Sequence, residues 1–220
     1  MPFTNRTDAG IALAAALSRY GDQDPVVLAL PRGGVPVAAE IARALDAPLD
    51  LVIVRKIGVP FQPELAMGAV VDGDSPIVVR NEDVINLSGV GESEFQAVCR
   101  DELAEIERRR RRYLGGRRPV GIAGRTAIVV DDGIATGATV RAALRATRLR
   151  KPRQLVLATP VAPTDTLREL RSEADGVVCL EEHELFGSIG AYYADFRQVS
   201  DDEVIALVAA SKPVRQEARA

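Results

Sequence analysis

The sequence predicts an α/β fold, a mostly parallel central sheet flanked by helices. Three observations carry this expectation. Continuous apolar runs recur that are too short for helices and apolar on both faces, amphipathic segments with helical spacing alternate with them, and loops containing Gly or Pro separate the two kinds of segment.

Thr7 and Asp8 precede Ile11, Leu13, Ala14 and Leu17, a polar cap followed by apolar residues at helical spacing, and Gly21 closes that first helix. Val26, Val27, Leu28, Ala29 and Leu30 form an apolar run between Pro25 and Pro31, the pattern of a strand buried on both faces. Pro31-Arg32-Gly33-Gly34 breaks it; residues 35–45 read as a helix and 49–54 as a second buried strand, completing a βαβ unit. Residues 55–64, with Gly58, Pro60 and Pro63, predict a loop. Residues 69–72 and 77–80 predict a hairpin around Gly73-Asp74. Phe95, Cys99, Leu103, Ile106 and Tyr113 set a long helix over 92–114 that Gly115-Gly116 ends. Strand 126–130, loop 131–137, helix 138–148, strand 155–159, helix 164–171, strand 176–180 and helix 201–210 follow, with a polar, frayed tail after Lys212. A single domain spanning residues 1–220 is expected, with 81–116 a helical insertion and 181–200 a candidate hood segment.

The 220 residues carry 28 Lys+Arg against 31 Asp+Glu, a net charge of −3, which argues against a general nucleic-acid binder with a basic face. Cys99 and Cys179 are too few and too far apart for a disulfide framework or a zinc cluster, so a reducing, cytoplasmic compartment is the expectation. No apolar run reaches the roughly 18 residues of a membrane helix, and residues 1–20 lack a signal-peptide pattern.

The strongest motif is the run from Ala127 to Thr139: an apolar strand, Asp131-Asp132, then Gly133-Ile134-Ala135-Thr136-Gly137-Ala138-Thr139 opening a helix. The small residues let backbone approach a ligand, and Thr136, Thr139 and the free amides of the helix start suit a phosphate. Two carboxylates beside a phosphate would repel it unless they face hydroxyl donors, as a ribose provides. Gly133 and Gly137 are too close for a Walker loop, whose Lys position holds Ala138, and no G-x-G-x-x-G follows a strand.

On these residues the chain resembles the type I phosphoribosyltransferases, whose motif for phosphoribosyl pyrophosphate is an apolar strand, two acids and a short Gly/Thr loop. The resemblance implies their fold, with a hood over the carboxyl ends of the strands. Asp131 and Asp132 would then hold the ribose hydroxyls as the catalytic acids, Ala135, Thr136, Gly137, Ala138 and Thr139 would wrap the 5′-phosphate, and Gly133 and Ile134 would be substrate-binding residues of the same loop. Arg32, Gly33 and Gly34 occupy the place of the family's pyrophosphate loop. Arg55 and Lys56 look like the basic residues of the loop that closes over the donor in adenine-type members, and Glu64 is a candidate for moving a proton at the acceptor. The implied reaction displaces pyrophosphate from C1 of the sugar by a nitrogenous, nucleobase-like acceptor, with Mg2+ held mainly through the pyrophosphate. Ala135 departs from the 6-oxopurine members, which carry an acid there, and argues against ordinary hypoxanthine or guanine salvage. A nucleotide or phosphoribosyl pyrophosphate sensor without transfer is the alternative, and a hydrolase of phosphoribosyl compounds a third.

Other features have blander readings beside the functional ones. The Arg108 to Arg112 run reads as a solvated helix end rather than a nucleic-acid site, Cys99 as core, and His183 among Glu181, Glu182 and Glu184 as surface. Phe186, Tyr192, Tyr193 and Phe196 could stack on a planar acceptor or anchor the chain end. The insertion could be a lid or a subunit contact in a homo-oligomer.

Overall fold

A computed structural model describes residues 2–72 and 76–211. Five parallel strands, β1 (Pro25–Ala29), β2 (Leu49–Leu51), β6 (Thr126–Val130), β7 (Gln154–Pro163) and β8 (Gly176–His183), form a sheet in the order β2-β1-β6-β7-β8. Between β2 and β6 the chain builds a separate antiparallel sheet, β3 (Val54–Val59), β4 (Gln62–Val71) and β5 (Ile77–Arg80).

Both faces of the central strands β1, β6 and β7 are covered, which is why they are mostly apolar, whereas the edge strand β8 is half-buried and ends in Glu181, Glu182 and His183. Val27, Ala29, Ile128, Val130, Val156 and Ala158 face α1 (Arg6–Ala16), α2 (Gly34–Ala44) and α7 (Asp201–Ala210). Their neighbours Val26, Leu28, Ala127, Val129, Leu155 and Leu157 face α5 (Ala138–Leu149) and α6 (Thr164–Leu170). Each such side chain contributes roughly 1.5–3 kcal/mol on burial. The insertion consists of α3 (Glu82–Ser88) and α4 (Glu92–Leu114), whose Phe95, Cys99 and Ile106 pack into the same core as Ile57, Met67 and Val70 of the small sheet.

The expected second strand is shorter than its apolar run. The Val52 amide still donates to the Ala29 carbonyl of β1, but then the chain leaves it: the Ile53 amide donates to Asp72 Oδ1 at 2.7 Å and the Asp72 amide to the Ile53 carbonyl, so Val54 begins a different sheet. Residues 55–64 are also not the expected loop. They form most of the β3–β4 hairpin, turning at Pro60-Phe61 and carrying an irregularity around Gly58. The glycine and prolines that suggested a loop mark a bulge and a hairpin end instead, positions where strands tolerate them. The pairing of 69–71 with 77–79 stands as expected, and its Gly73-Asp74 turn lies outside the described residues, as does the tail after Lys212. Strands β7 and β8 run past the expected ends, and Val161 in that extension accepts a hydrogen bond from the Ile134 amide. Among the described residues, no helix is long and apolar enough to cross a membrane.

Candidate active site

The parallel sheet changes winding direction between β1 and β6: the chain leaves β1 toward β2 on one side and leaves β6 toward β7 on the other. Loops at the carboxyl ends of such a strand pair diverge and open a crevice, where open α/β sheets bind ligands. Here those loops are Pro31-Arg32-Gly33-Gly34 and Asp131 to Gly137, the two segments singled out in the sequence.

They are packed against each other, and glycine is what permits it. A Cβ on Gly33 would collide with the Asp132 carboxylate, and one on Gly34 would lie 2.7 Å from the Val130 carbonyl oxygen. The Pro31–Arg32 peptide is cis. Gly33 and Gly137 are the N-caps of α2 and α5, and neither helix has a side-chain cap. Gly137 reaches its position with φ of 72°, and the first bond of α5 runs from the Arg141 amide to the Gly137 carbonyl at 2.8 Å. The amides of Ala138, Thr139 and Val140 therefore have no acceptor within the helix and point out of its positive end, an arrangement suited to an anion. Ile134 differs from its loop neighbours: it is buried and its amide is committed to Val161, so it anchors the loop. Ala135 and Thr136 are exposed, and the Ala135 carbonyl accepts from the Thr166 hydroxyl at 3.1 Å.

The two acids stand in different environments. Asp132 is 7% exposed, with Oδ2 2.7 Å from Arg6 Nε; its amide donates to Asp131 Oδ1 at 2.9 Å, and its carbonyl accepts from the Tyr193 hydroxyl at 2.5 Å. Asp131 is half-buried, and burial together with the adjacent negative charge of Asp132 raises its pKa well above the usual carboxylate value. Burial likewise raises the Tyr193 phenol.

The basic candidates are placed around this centre. Arg32 does not extend freely from its loop: its Nη1 lies 3.4 Å from Asp201 Oδ1 at the start of α7, and Asp201 also takes the Tyr113 hydroxyl at 2.7 Å and Arg112 at 2.9 Å. These contacts, led by the Tyr113 hydrogen bond, hold the Asp201 carboxyl below its ordinary pKa. Arg55 and Lys56 lie on β3, with Glu102, Pro60 and Thr139, around a groove of about 540 Å³ that reaches the start of α5. Arg55 Nε is 2.7 Å from Glu102 Oε2 of the insertion helix. Glu64 is exposed on β4 and lines neither this groove nor the cavity beside Arg32.

Arg6 and Glu102 did not stand out in the sequence. Arg6 carried one signal, a cation in the first turn of a helix, where the positive end of the dipole disfavours it. Glu102 carried none, being one of many acids on a charged helix. The aromatic stretch has a clear place: Tyr193 is buried and stacks on Phe196, Tyr192 stacks on Phe186, and Ile189 packs on Gly133. Each arginine from Arg108 to Arg112 is paired with a carboxylate, Arg110 with the buried Asp72. His183 is half-buried beside Glu181, and Cys99 is core with a raised thiol pKa caused chiefly by burial.

The phosphoribosyl transferase domain family model matches residues 4–197, an interval that contains both loops, the small sheet and the insertion. The chain belongs to that family. Two Mycobacterium tuberculosis proteins, from strains CDC 1551 / Oshkosh and H37Rv and provisionally named phosphoribosyl transferases, are each 47% identical over 206 residues, covering 94% of this chain and 46% of theirs. The chain thus spans about half the length of the curated relatives it matches. Among solved structures, TT1426 from Thermus thermophilus superposes with a TM-score of 0.83 at 40% identity, covering 94% of this chain and 98% of that one.

Proposed function

We propose that this chain binds phosphoribosyl pyrophosphate across the β1/β6 crevice and transfers its phosphoribosyl group to a nitrogenous, nucleobase-like acceptor, releasing pyrophosphate. The observation that carries this reading is the contact of Gly33 and Gly34 with the Val130–Asp132 strand end. It joins two anion-suited helix starts and two carboxylates in one crevice, matching a donor with phosphate at each end and hydroxyls between. The α5 amides and Thr139 take the 5′-phosphate, Asp131 and Asp132 the ribose hydroxyls, and the Arg32 loop the pyrophosphate. These groups act by positioning and electrostatic stabilisation as the bond to C1 breaks. Glu64 serves the acceptor only if the β3–β4 hairpin folds over the crevice.

The carboxylate oxygens beside the pyrophosphate loop fit Mg2+, which binds through one or two carboxylates together with substrate phosphates. Among the described residues, no cluster of three His, Cys, Asp or Glu could hold a metal alone, so Asp131 and the pyrophosphate would share it. When bound it neutralises charge on the leaving group. Two free cysteines, one buried and one half-buried, accord with a reducing cytoplasm.

Thermal unfolding with and without phosphoribosyl pyrophosphate and Mg2+ tests the donor site. Ligand at about 100 times its dissociation constant should stabilise the wild type by roughly 2.7 kcal/mol, and Asp131→Asn should lose most of that shift. A wild type that does not respond at millimolar donor overturns the reading. A wild type that binds but releases no pyrophosphate with any added base is a sensor.

A further inference from the structure

We propose that Arg6 is a positioning residue for ribose recognition, acting through Asp132 from the first turn of α1. The inference rests on the donor-site reading above and adds a residue from outside both binding loops.

Three of the four polar atoms of Asp132 are fixed by neighbours: the amide by Asp131, the carbonyl by Tyr193, and Oδ2 by Arg6. Oδ1 accepts no hydrogen bond from an N–H or O–H donor among the described residues, and both oxygens lie against Gly33, Oδ2 the nearer. The Arg6 side chain is itself only 11% exposed and is held in three ways at once. Its Nε donates to Asp132, its Nη1 donates to the Arg197 carbonyl at 2.8 Å, and its guanidinium carbon lies 3.9 Å from the centre of the Phe196 ring. A planar fork can satisfy these directions together, whereas a lysine ammonium has no plane to stack and no second nitrogen.

The chain around Arg6 is tied to the same place. The Phe3 amide donates to the Tyr192 carbonyl, the Ala194 amide to the Phe3 carbonyl, and the Asp195 amide to the Thr4 carbonyl at 2.8, 2.8 and 3.0 Å. The N-terminal segment and residues 189–197 thus form one clamp behind the strand end that carries both acids, and Arg6 is its contact with a carboxylate. A cation in a first helical turn is locally unfavourable; the tertiary contacts explain its placement here.

Calorimetric titration of the full chain with three probes tests the assignment: phosphoribosyl pyrophosphate with Mg2+, ribose 5-phosphate, and pyrophosphate with Mg2+. Arg6→Gln is expected to weaken the two ribose-bearing probes by about tenfold or more, as removal of an outer partner of a binding group typically does, and to leave pyrophosphate within about twofold. Arg6→Lys should recover part of the loss while keeping the same selectivity, and it carries the test if Arg6→Gln does not fold. Equal weakening of all three probes, or of none, overturns the positioning role. A wild type that binds none of them overturns the donor-site reading itself, and this inference with it.

Discussion

Two buried arginine–aspartate pairs use the same chemistry for different ends. Arg110–Asp72 lies where the chain passes from the parallel sheet to the small antiparallel one; Arg6–Asp132 lies at the end of β6. Asp72 spends both oxygens on the protein, one on the Ile53 amide and one on Arg110, and Arg110 Nη2 is buried without a partner. Asp132 has a second carboxylate beside it and a glycine loop against it, and Arg6 takes only one of its oxygens. The Asp72 carboxylate is engaged at both oxygens, whereas Arg6 engages only one oxygen of Asp132; on the proposed function the first is a structural junction and the second a ligand site. Burial of an ion pair alone does not make that distinction, because both carboxylates are buried.

The comparison can be broken most directly at Arg110. Arg110→Ala strands a buried carboxylate and should cost about 3–5 kcal/mol near neutral pH, read by urea unfolding, without altering donor selectivity. The cost should shrink in acid, because burial has raised the Asp72 carboxyl from the ordinary 3.8 to about 6 despite Ile53 and Arg110. Between those values the folded chain holds a proton that the unfolded chain releases. The contribution from Asp72 is therefore full below the lower value and is lost as pH rises through about 6, by up to about 3 kcal/mol. Asp72→Asn should remove that slope from the stability profile; an unchanged slope would show that Asp72 is not its source.

A smaller effect is expected at Gly33. Gly33→Ala drives a methyl into Asp132, whose short side chain is held by Arg6, and should cost about 1–3 kcal/mol as an overpacked contact. Donor binding should fall with it, whereas Gly116→Ala, which meets nothing within 4 Å, should change neither. If Gly33→Ala binds donor normally, the two loops do not need their close approach. The smallest effect belongs to Glu102→Gln. Its pair with Arg55 is partly exposed and salt-screened, so the stability loss should stay below about 1 kcal/mol. A change in donor affinity without a change in unfolding midpoint would show that Glu102 orients Arg55 toward the phosphate-loop groove.

The apolar runs determined the buried parallel strands, because a strand covered on both faces has no polar side to vary, and β6 and α4 match their expected limits. The order of acids, small residues and threonines before α5 likewise marked the turn that opens that helix, since close backbone approach and free helix-start amides are local properties. The Arg55–Glu64 hairpin was hidden because Gly and Pro punctuate bulges and hairpin ends as well as loops. At Val52 and Ile53 the exchange of strand partners depended on Asp72, 19 positions beyond Ile53, and a local pattern contains no such information. Arg6 looked like a poor helix start until the fold brought it to Asp132, 126 positions away. Sequence by itself determined which segments could be strands, helices and anion-binding turns, because backbone propensity and burial act over a few residues. Only the tertiary structure decided which carboxylate is engaged at both oxygens and which at one, because that depends on groups brought together across the whole chain.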